Sequence, residues 1–299
     1  MGNNFSSHQN FSKARNKARM QSLMATLSWK ENELLSFYEV TKLLKPKAET
    51  YRGFKAIEID KIVGSENRYH DFTLAFYPRK DMLRSRWQRI DQAHLNFIHL
   101  PPISVYQLGE CYFVRDGNHR VSVAKAQGIE FIDAEVVELD SEIELEPNIT
   151  KRKLIKKVVE YERSRFLKLF ELDRFIDMNL LKFSAPGMYP EIINHINVHK
   201  YFINQSSTIE ISFEEAAHSW YEKVFLPIVN QVKEDKILSS FPGRSYGDLY
   251  LWIVRHWDNL KHGLEEEVTI QRATKDFIER FRPNIFKRLK ERFKAITNR

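Results

Sequence analysis

The residues best suited to chemistry lie in one short segment, Asp116-Gly-Asn-His-Arg120, which brings together a carboxylate, an amide, an imidazole and a guanidinium. The residues before it, 112–114, are β-prone. Gly117 can adopt a positive φ, Asn118 is a good helix N-cap, and Gly128 is placed to end the helix. The sequence therefore predicts a strand, a tight turn and a helix, with His119 and Arg120 in the first helical turn.

The chemistry predicted for this turn is anion binding. The first turn of a helix has free backbone N–H groups and the positive end of the helix dipole, so it attracts an anion. The dipole alone disfavours a cation there, and Arg120 therefore indicates a bound anion such as a phosphate. The alternative is a strand–glycine–helix junction that binds nothing, which occurs in many proteins.

The flanking sequence extends this pattern to strand, turn, strand, helix, strand. The region of about residues 51–140 contains IEIDKI, LPPISVY, YFVRDGNHR and GIEFIDAEV in that order, and through them it resembles the ParB/sulfiredoxin-like domain. The resemblance covers less than a third of the chain. It implies a small mixed-sheet domain.

The resemblance also implies a nucleotide site. In these families a Gly-x-x-Arg element at the start of a helix cradles nucleotide phosphates, and Gly117, Asn118, His119 and Arg120 match that element. Sulfiredoxins have their catalytic cysteine directly after the glycine, where this chain has Asn118, so that chemistry is not implied. ParB proteins carry Gly-Glu-Arg-Arg and bind CTP, whereas ParB-like free-serine kinases carry a turn of the kind Asp-Gly-x-His-Arg. The segment Arg115-Asp-Gly-Asn-His-Arg120 looks most like the turn of the free-serine kinases. The implied cofactor is ATP, ADP or CTP, together with Mg²⁺.

Further candidate residues lie in the loop 64–72, which is rich in turn formers and hydrogen-bond donors and which the resemblance puts at the rim of the pocket. Ser65 and Arg68 are candidates to complete the phosphate site, and either Arg86 or Arg89 could add a further charge. The alternative is a surface loop followed by an amphipathic helix over residues 80–96.

Four side chains could contribute to phosphoryl transfer, in which positioned phosphates and a divalent ion do most of the work. Asp116 or Glu66 would hold Mg²⁺, and His119 would orient the transferred group. Arg120 would neutralise the phosphate charge. No metal site formed by protein ligands alone is predicted.

Composition limits the class of protein. The chain has 299 residues and one cysteine, which excludes internal disulfides and cysteine-based zinc fingers. It has neither an apolar run long enough to span a bilayer nor the apolar region of a secretory signal near its start. We expect a cytoplasmic protein.

The net charge of +7 is concentrated at the ends. Residues 1–50 hold 8 basic and 4 acidic side chains (+4), residues 271–299 hold 10 and 3 (+7), and the rest holds 29 and 33 (−4). Such ends could contact nucleic acid or anionic lipid, although a charged terminal helix is often simply solvated.

The predicted fold class is α+β in three parts: a basic helical arm over 1–50, the ParB/sulfiredoxin-like domain over 51–146, and a helical domain with a basic tail over 147–299. The predicted function is nucleotide-phosphate binding, as an NTP-dependent phosphotransferase or an NTP-hydrolysing switch. The alternative is a DNA-binding regulator or a nuclease of the ParB-like type. The predicted partners are nucleic acid at the basic termini and a second copy or another protein at the helical domain.

Overall fold

The chain forms two compact units, residues 1–158 and 159–299. The computed structural model describes residues 2–28, 31–147, 149–206, 209–263 and 269–281. No helix in these ranges is both long enough and apolar enough to cross a membrane.

The described residues of the first unit form six strands and four complete α-helices, and a fifth α-helix begins there. The elements are α1 (Gly2–Ser28), β1 (Leu35–Ser36), α2 (Phe37–Leu44), β2 (Ala48–Glu58), β3 (Ile62–Ser65), α3 (Arg84–Leu95), β4 (Ile103–Leu108), β5 (Cys111–Asp116), α4 (Asn118–Gln127), β6 (Phe131–Asp140) and α5 (Lys151–Phe170). The second unit is helical in its described part: α6 (Met188–Gln205), α7 (Phe213–Trp220), α8 (Leu226–Glu234), α9 (Tyr246–Gly263) and α10 (Ile270–Phe281).

The strands form one mixed sheet in the order β1-β3-β5-β4-β6-β2. Strands β1, β3 and β5 are parallel, with Ser36 beside Ser65 and Ser65 beside Val114. The carboxyl ends of these three strands therefore meet at one edge of the sheet. Strand β4 runs antiparallel to β5 and parallel to β6, and β2 runs antiparallel to β6.

Helix α4 is fixed between the sheet and helix α3. Val121 and Ala124 of α4 pack into the sheet core with Val114. On its other side, Val123 packs with Trp87 of α3 and Phe11 of α1. The Trp87 indole Nε1 donates a hydrogen bond of 2.9 Å to Ser122 Oγ. Because apolar contacts hold α4 on two sides, the start of the helix has a defined position.

The second unit is built around a core rich in aromatic side chains. Trp220, Phe225 and Tyr250 are buried and in mutual ring contact. The Tyr250 hydroxyl accepts a 2.9 Å hydrogen bond from Trp220 Nε1 and lies 3.2 Å from His195 Nδ1. A π-helical turn, Tyr221–Phe225, joins α7 to α8. These three aromatic residues therefore serve packing.

The α+β class, the mixed sheet and the helical C-terminal half are confirmed. The helical arm differs from the prediction, since α1 ends at Ser28 and residues 35–36 form a strand. Leu34 and Leu35 are buried. The segment predicted as an arm therefore also supplies β1, α2 and the start of β2, and the boundary predicted after residue 146 lies within the first unit.

Candidate anion site at the start of helix α4

The turn before α4 depends on Gly117. Its φ is +105°, a backbone conformation that side chains resist, so the predicted glycine turn is confirmed. A Cβ atom added at Gly117 would lie 2.4 Å from Ile103 Cγ2, so β4 also approaches too closely for a larger residue. Gly128 ends the helix with a φ of +74°. The N-cap assignment is corrected, because Gly117 is the N-cap and Asn118 is the first helical residue.

Arg120 has partners within the chain. Its guanidinium donates hydrogen bonds to the carbonyl oxygens of Pro101 and Pro102, the latter at 2.8 Å, and to Asp116 Oδ2 at 2.5 Å. The side chain is only 13% exposed. The argument that a cation in the first turn requires an external anion is therefore wrong, since Arg120 ties the turn to the segment that precedes β4.

Two other polar side chains at this turn lack partners. Asn118 and His119 are each 7% exposed, and Asn118 Oδ1 and His119 Nδ1 have no hydrogen-bond partner among the described residues. Leaving a buried polar atom unsatisfied costs about 1–3 kcal/mol, and such atoms are uncommon in folded proteins. They lie at the helix end where backbone N–H groups are also free. A ligand with both acceptor and donor groups would satisfy this set.

The imidazole of His119 is neutral at neutral pH. Its pKa is lowered from 6.5 to about 4, first by burial and then by the positive charges of Arg86 and Arg68, while the negative charge of Asp71 acts in the opposite direction. The ring packs edge-on against Phe72, with the centroids 5.5 Å apart. A neutral imidazole carries one N–H and one free nitrogen, so Nδ1 donates or accepts according to the tautomer.

The loop after β3 brings Arg68 to this site. Ser65 is fully buried, donates a 3.3 Å hydrogen bond to the Val114 carbonyl and accepts one of 3.1 Å from the Arg68 backbone. Arg68 Nη1 lies 3.0 Å from Asp71 Oδ2, and Lys80 Nζ lies 2.7 Å from the other carboxylate oxygen. Burial raises the pKa of Asp71, but the hydrogen bonds from Lys80 and Arg68 outweigh it and lower that pKa overall. The loop conformation therefore depends on Ser65 and Asp71.

The two arginines of α3 differ in their relation to the site. Both Arg86 and Arg89 are exposed. In the described ranges Arg86 has no hydrogen bond or ion pair, and its charge acts on His119, whereas Arg89 is not among the charges that act on that ring. The sequence alone could not show which of the two arginines contributes to the site, because only the packing of α3 against α4 decides which one lies near His119.

The carboxylates proposed as magnesium ligands lie at the ends of adjacent strands. Asp116 is exposed and bonded to Arg120, and Glu66 accepts a 3.1 Å hydrogen bond from the Tyr38 hydroxyl. The Glu66 backbone N–H donates to the Val114 carbonyl at 2.9 Å. No cluster of three or more His, Cys, Asp or Glu occurs within the described part of the chain. A Mg²⁺ ion at this edge would therefore depend on ligand phosphates and water for most of its coordination.

A cavity of about 1090 Å³ lies in the same unit, between α1 and the loop that carries Arg68. Tyr69 and His70 of that loop line it, together with Ser36 at the end of β1. Its charged lining includes Arg15, Arg19, Arg79, Lys151, Glu31, Glu33 and Glu39. Its volume is at the upper end of the range of small-molecule pockets.

Cys111 takes no part in this site. It is fully buried in β5, and burial raises the pKa of its thiol to about 12. Because the thiolate is the reactive form of cysteine, this side chain is chemically inert at neutral pH.

Comparison with known proteins gives little beyond this geometry. No protein-family model matches the chain. No curated protein matches it either. Among solved structures, a Pnob8-like ParB-N domain is similar over 82% of this chain and 98% of that chain, with 11% sequence identity and a TM-score of 0.23. A similarity at that TM-score supports no conclusion about function, so the proposals below depend on the residues of the site.

Proposed function

We propose that the chain binds a nucleotide, with its phosphates at the start of α4. One observation carries the proposal: His119 is buried at a helix N-terminus, and its Nδ1 has no hydrogen-bond partner among the described residues. Asn118 Oδ1 also has none there, but as an acceptor it needs a donor such as a hydroxyl or amino group of the nucleotide, because the phosphate oxygens only accept. A phosphate group would accept hydrogen bonds from the free backbone N–H groups of the first turn. It would also accept one from His119 Nδ1 in the tautomer that carries the proton there.

The charges at the site divide into two groups. Arg86 and Arg68 supply the positive potential, as their effect on the pKa of His119 indicates. Arg120 holds the turn through the Pro101 and Pro102 carbonyls. A charged ligand would therefore gain most from Arg86, because within the described part of the chain that side chain has no competing partner.

The nucleotide class of ligand is supported by the segment 115–120, which resembles the phosphate-binding turn of the ParB-like families. The cavity of about 1090 Å³ is lined by Tyr69 and His70 and by none of the residues at the start of α4, so it does not identify the ligand. Glu66 and Asp116 lie at the ends of adjacent strands and would assist Mg²⁺ bound to the phosphates. With positioned phosphates and Mg²⁺, phosphoryl transfer or hydrolysis needs little further chemistry from the protein.

Calorimetric titration tests this proposal with ATP, ADP, CTP and pyrophosphate, each with Mg²⁺. We expect Arg86→Gln to weaken binding about tenfold, equivalent to about 1.4 kcal/mol. Arg89→Gln is the matched control on the same helix and should bind like the wild type. If the wild type binds none of these ligands, or if both variants bind as it does, the proposal is wrong. Phosphate release in the same samples distinguishes an enzyme from a binding protein.

A further inference from the structure

Helix α1 is apolar on two sides, and only one of them is packed. On the inner side, Phe11, Ala14 and Ala18 are buried. On the outer side lie Met20, Leu23, Met24 and Leu27, which we call the outer stripe; their exposed fractions are 62%, 62%, 62% and 74%. A contiguous exposed patch of large apolar side chains marks an interaction site.

The spacing makes the outer stripe one continuous surface. Counted from Met20, the others lie at i+3, i+4 and i+7, so all four occupy the same side of the helix over two turns. Lys13 and Lys17 continue that row toward the N-terminus, and both are exposed. The helix surface therefore has a basic half followed by an apolar half.

The charge of α1 has a single sign. The helix contains Lys13, Arg15, Lys17 and Arg19 and no acidic residue. Arg15 and Arg19 both form ion pairs with Asp81, at 3.3 and 3.7 Å. The Arg15 side chain is only 14% exposed, whereas the Arg19 side chain is 64% exposed. Lys17 lies over the ring of Tyr77 and still reaches solvent. The cations on the outside of the helix thus flank the outer stripe without neutralising acids on the same helix.

We infer that the outer stripe docks on an anionic lipid surface, with α1 lying in the plane of the membrane interface. Apolar side chains on one face of a helix, flanked by lysine and arginine, are the composition that binds there. Met20, Leu23, Met24 and Leu27 would enter the boundary between head groups and acyl chains. Lys13, Lys17 and Arg19 would contact the anionic head groups, each basic residue near the surface contributing to the attraction.

Charge argues against two other occupants. A second copy of α1 has the same four basic residues and no acidic residue. The chain's own segment 282–299 has seven basic and one acidic side chain, the same sign as α1. Like charges repel in both cases, whereas an anionic surface complements the helix.

Co-sedimentation of the full chain with lipid vesicles tests the inference. We expect binding to vesicles that contain phosphatidylglycerol, little binding to phosphatidylcholine alone, and weaker binding as salt rises. The double variant Leu23→Ser/Leu27→Ser should lose at least tenfold in binding while its melting temperature stays the same, because both side chains are exposed. Lys13→Gln/Lys17→Gln should weaken binding to the anionic vesicles.

The matched control is Val198→Ser/Phe202→Ser, which removes two exposed apolar side chains from α6 in the other unit and should leave binding unchanged. The inference is wrong if the wild type binds neither kind of vesicle. It is also wrong if the Leu23→Ser/Leu27→Ser variant binds like the wild type, since the basic ends would then suffice. A change in oligomeric mass by light scattering without vesicle binding would instead identify a second copy as the occupant.

Discussion

At the scale of single residues, Gly117 and Gly128, at the two ends of α4, are required for different structural reasons. Both have a positive φ, +105° at Gly117 and +74° at Gly128. A Cβ at Gly117 would collide with Ile103, whereas a Cβ at Gly128 would meet no atom within 4 Å. Gly128 is therefore required by backbone conformation alone, and Gly117 by conformation and by the close approach of β4.

Replacing each glycine by alanine separates these effects. Gly128→Ala should lower the free energy of unfolding by about 1–2 kcal/mol, the cost of a left-handed residue with a side chain. Gly117→Ala should lower the free energy of unfolding by that amount and by about 1–3 kcal/mol more, because the added methyl group overpacks the core beside Ile103. Urea unfolding of both variants measures the difference. Equal losses would show that β4 moves away from the turn without cost.

At the scale of elements, Arg120 joins the start of α4 to the chain before β4. We expect Arg120→Gln to lower the free energy of unfolding by about 1.5–3 kcal/mol, as for other hydrogen bonds to charged groups. Asp116→Asn removes the exposed acidic partner and should cost less than about 1 kcal/mol. Thermal unfolding of the two variants checks this order. If Arg120→Gln keeps full stability and loses ligand binding, Arg120 is a ligand contact after all.

The sequence predicts those elements whose signals are local. The strand, turn and helix around Gly117 follow from residues within about fifteen positions, and the helix over 84–95 follows from its periodicity. Strand β1 could not be predicted, because Leu35 and Ser36 are a strand only through pairing with β3. The carbonyl partners of Arg120 and the charge of Arg86 on His119 depend on contacts between separate elements, which a local pattern does not contain.

At the scale of the whole molecule, the basic ends are structurally unlike. The start of the chain forms α1, while the predicted basic tail over 271–299 lies partly outside the described residues. Its described part is α10, where Ala273, Phe277 and Ile278 are buried in the core of the second unit. A truncation that keeps these core residues must therefore begin after α10.

We expect any nucleic-acid binding to be mainly electrostatic and to depend on the segment after α10. Removing residues 282–299, which carry seven basic and one acidic side chain, should weaken DNA binding and flatten its salt dependence, since fewer counterions are released. The melting temperature should change little, because α10 is kept. Binding measured between low and moderate salt tests this, and an unchanged affinity and salt slope would assign the contact to another surface.

A phosphate bound beside His119, as proposed, would change the pKa of that histidine, so this pKa reports directly on the site. The folded state depresses this pKa from 6.5 to about 4, so the unfolded chain holds more protons between those values. Stability should therefore fall as the pH falls through that window, by at most about 1.4 kcal/mol for each pKa unit. His119→Gln should remove this contribution.

Titration of the histidine ring signals by NMR, with and without ADP and Mg²⁺, is the most direct test; His119→Gln assigns the signal among the ten histidines of the chain. We predict that His119 titrates near pH 4 in the free protein. The pKa of His119 should rise when the nucleotide is bound, because a nearby anion stabilises the imidazolium. A His119 signal whose titration is the same at saturating nucleotide, or which titrates near 6.5 in the free protein, would contradict the account.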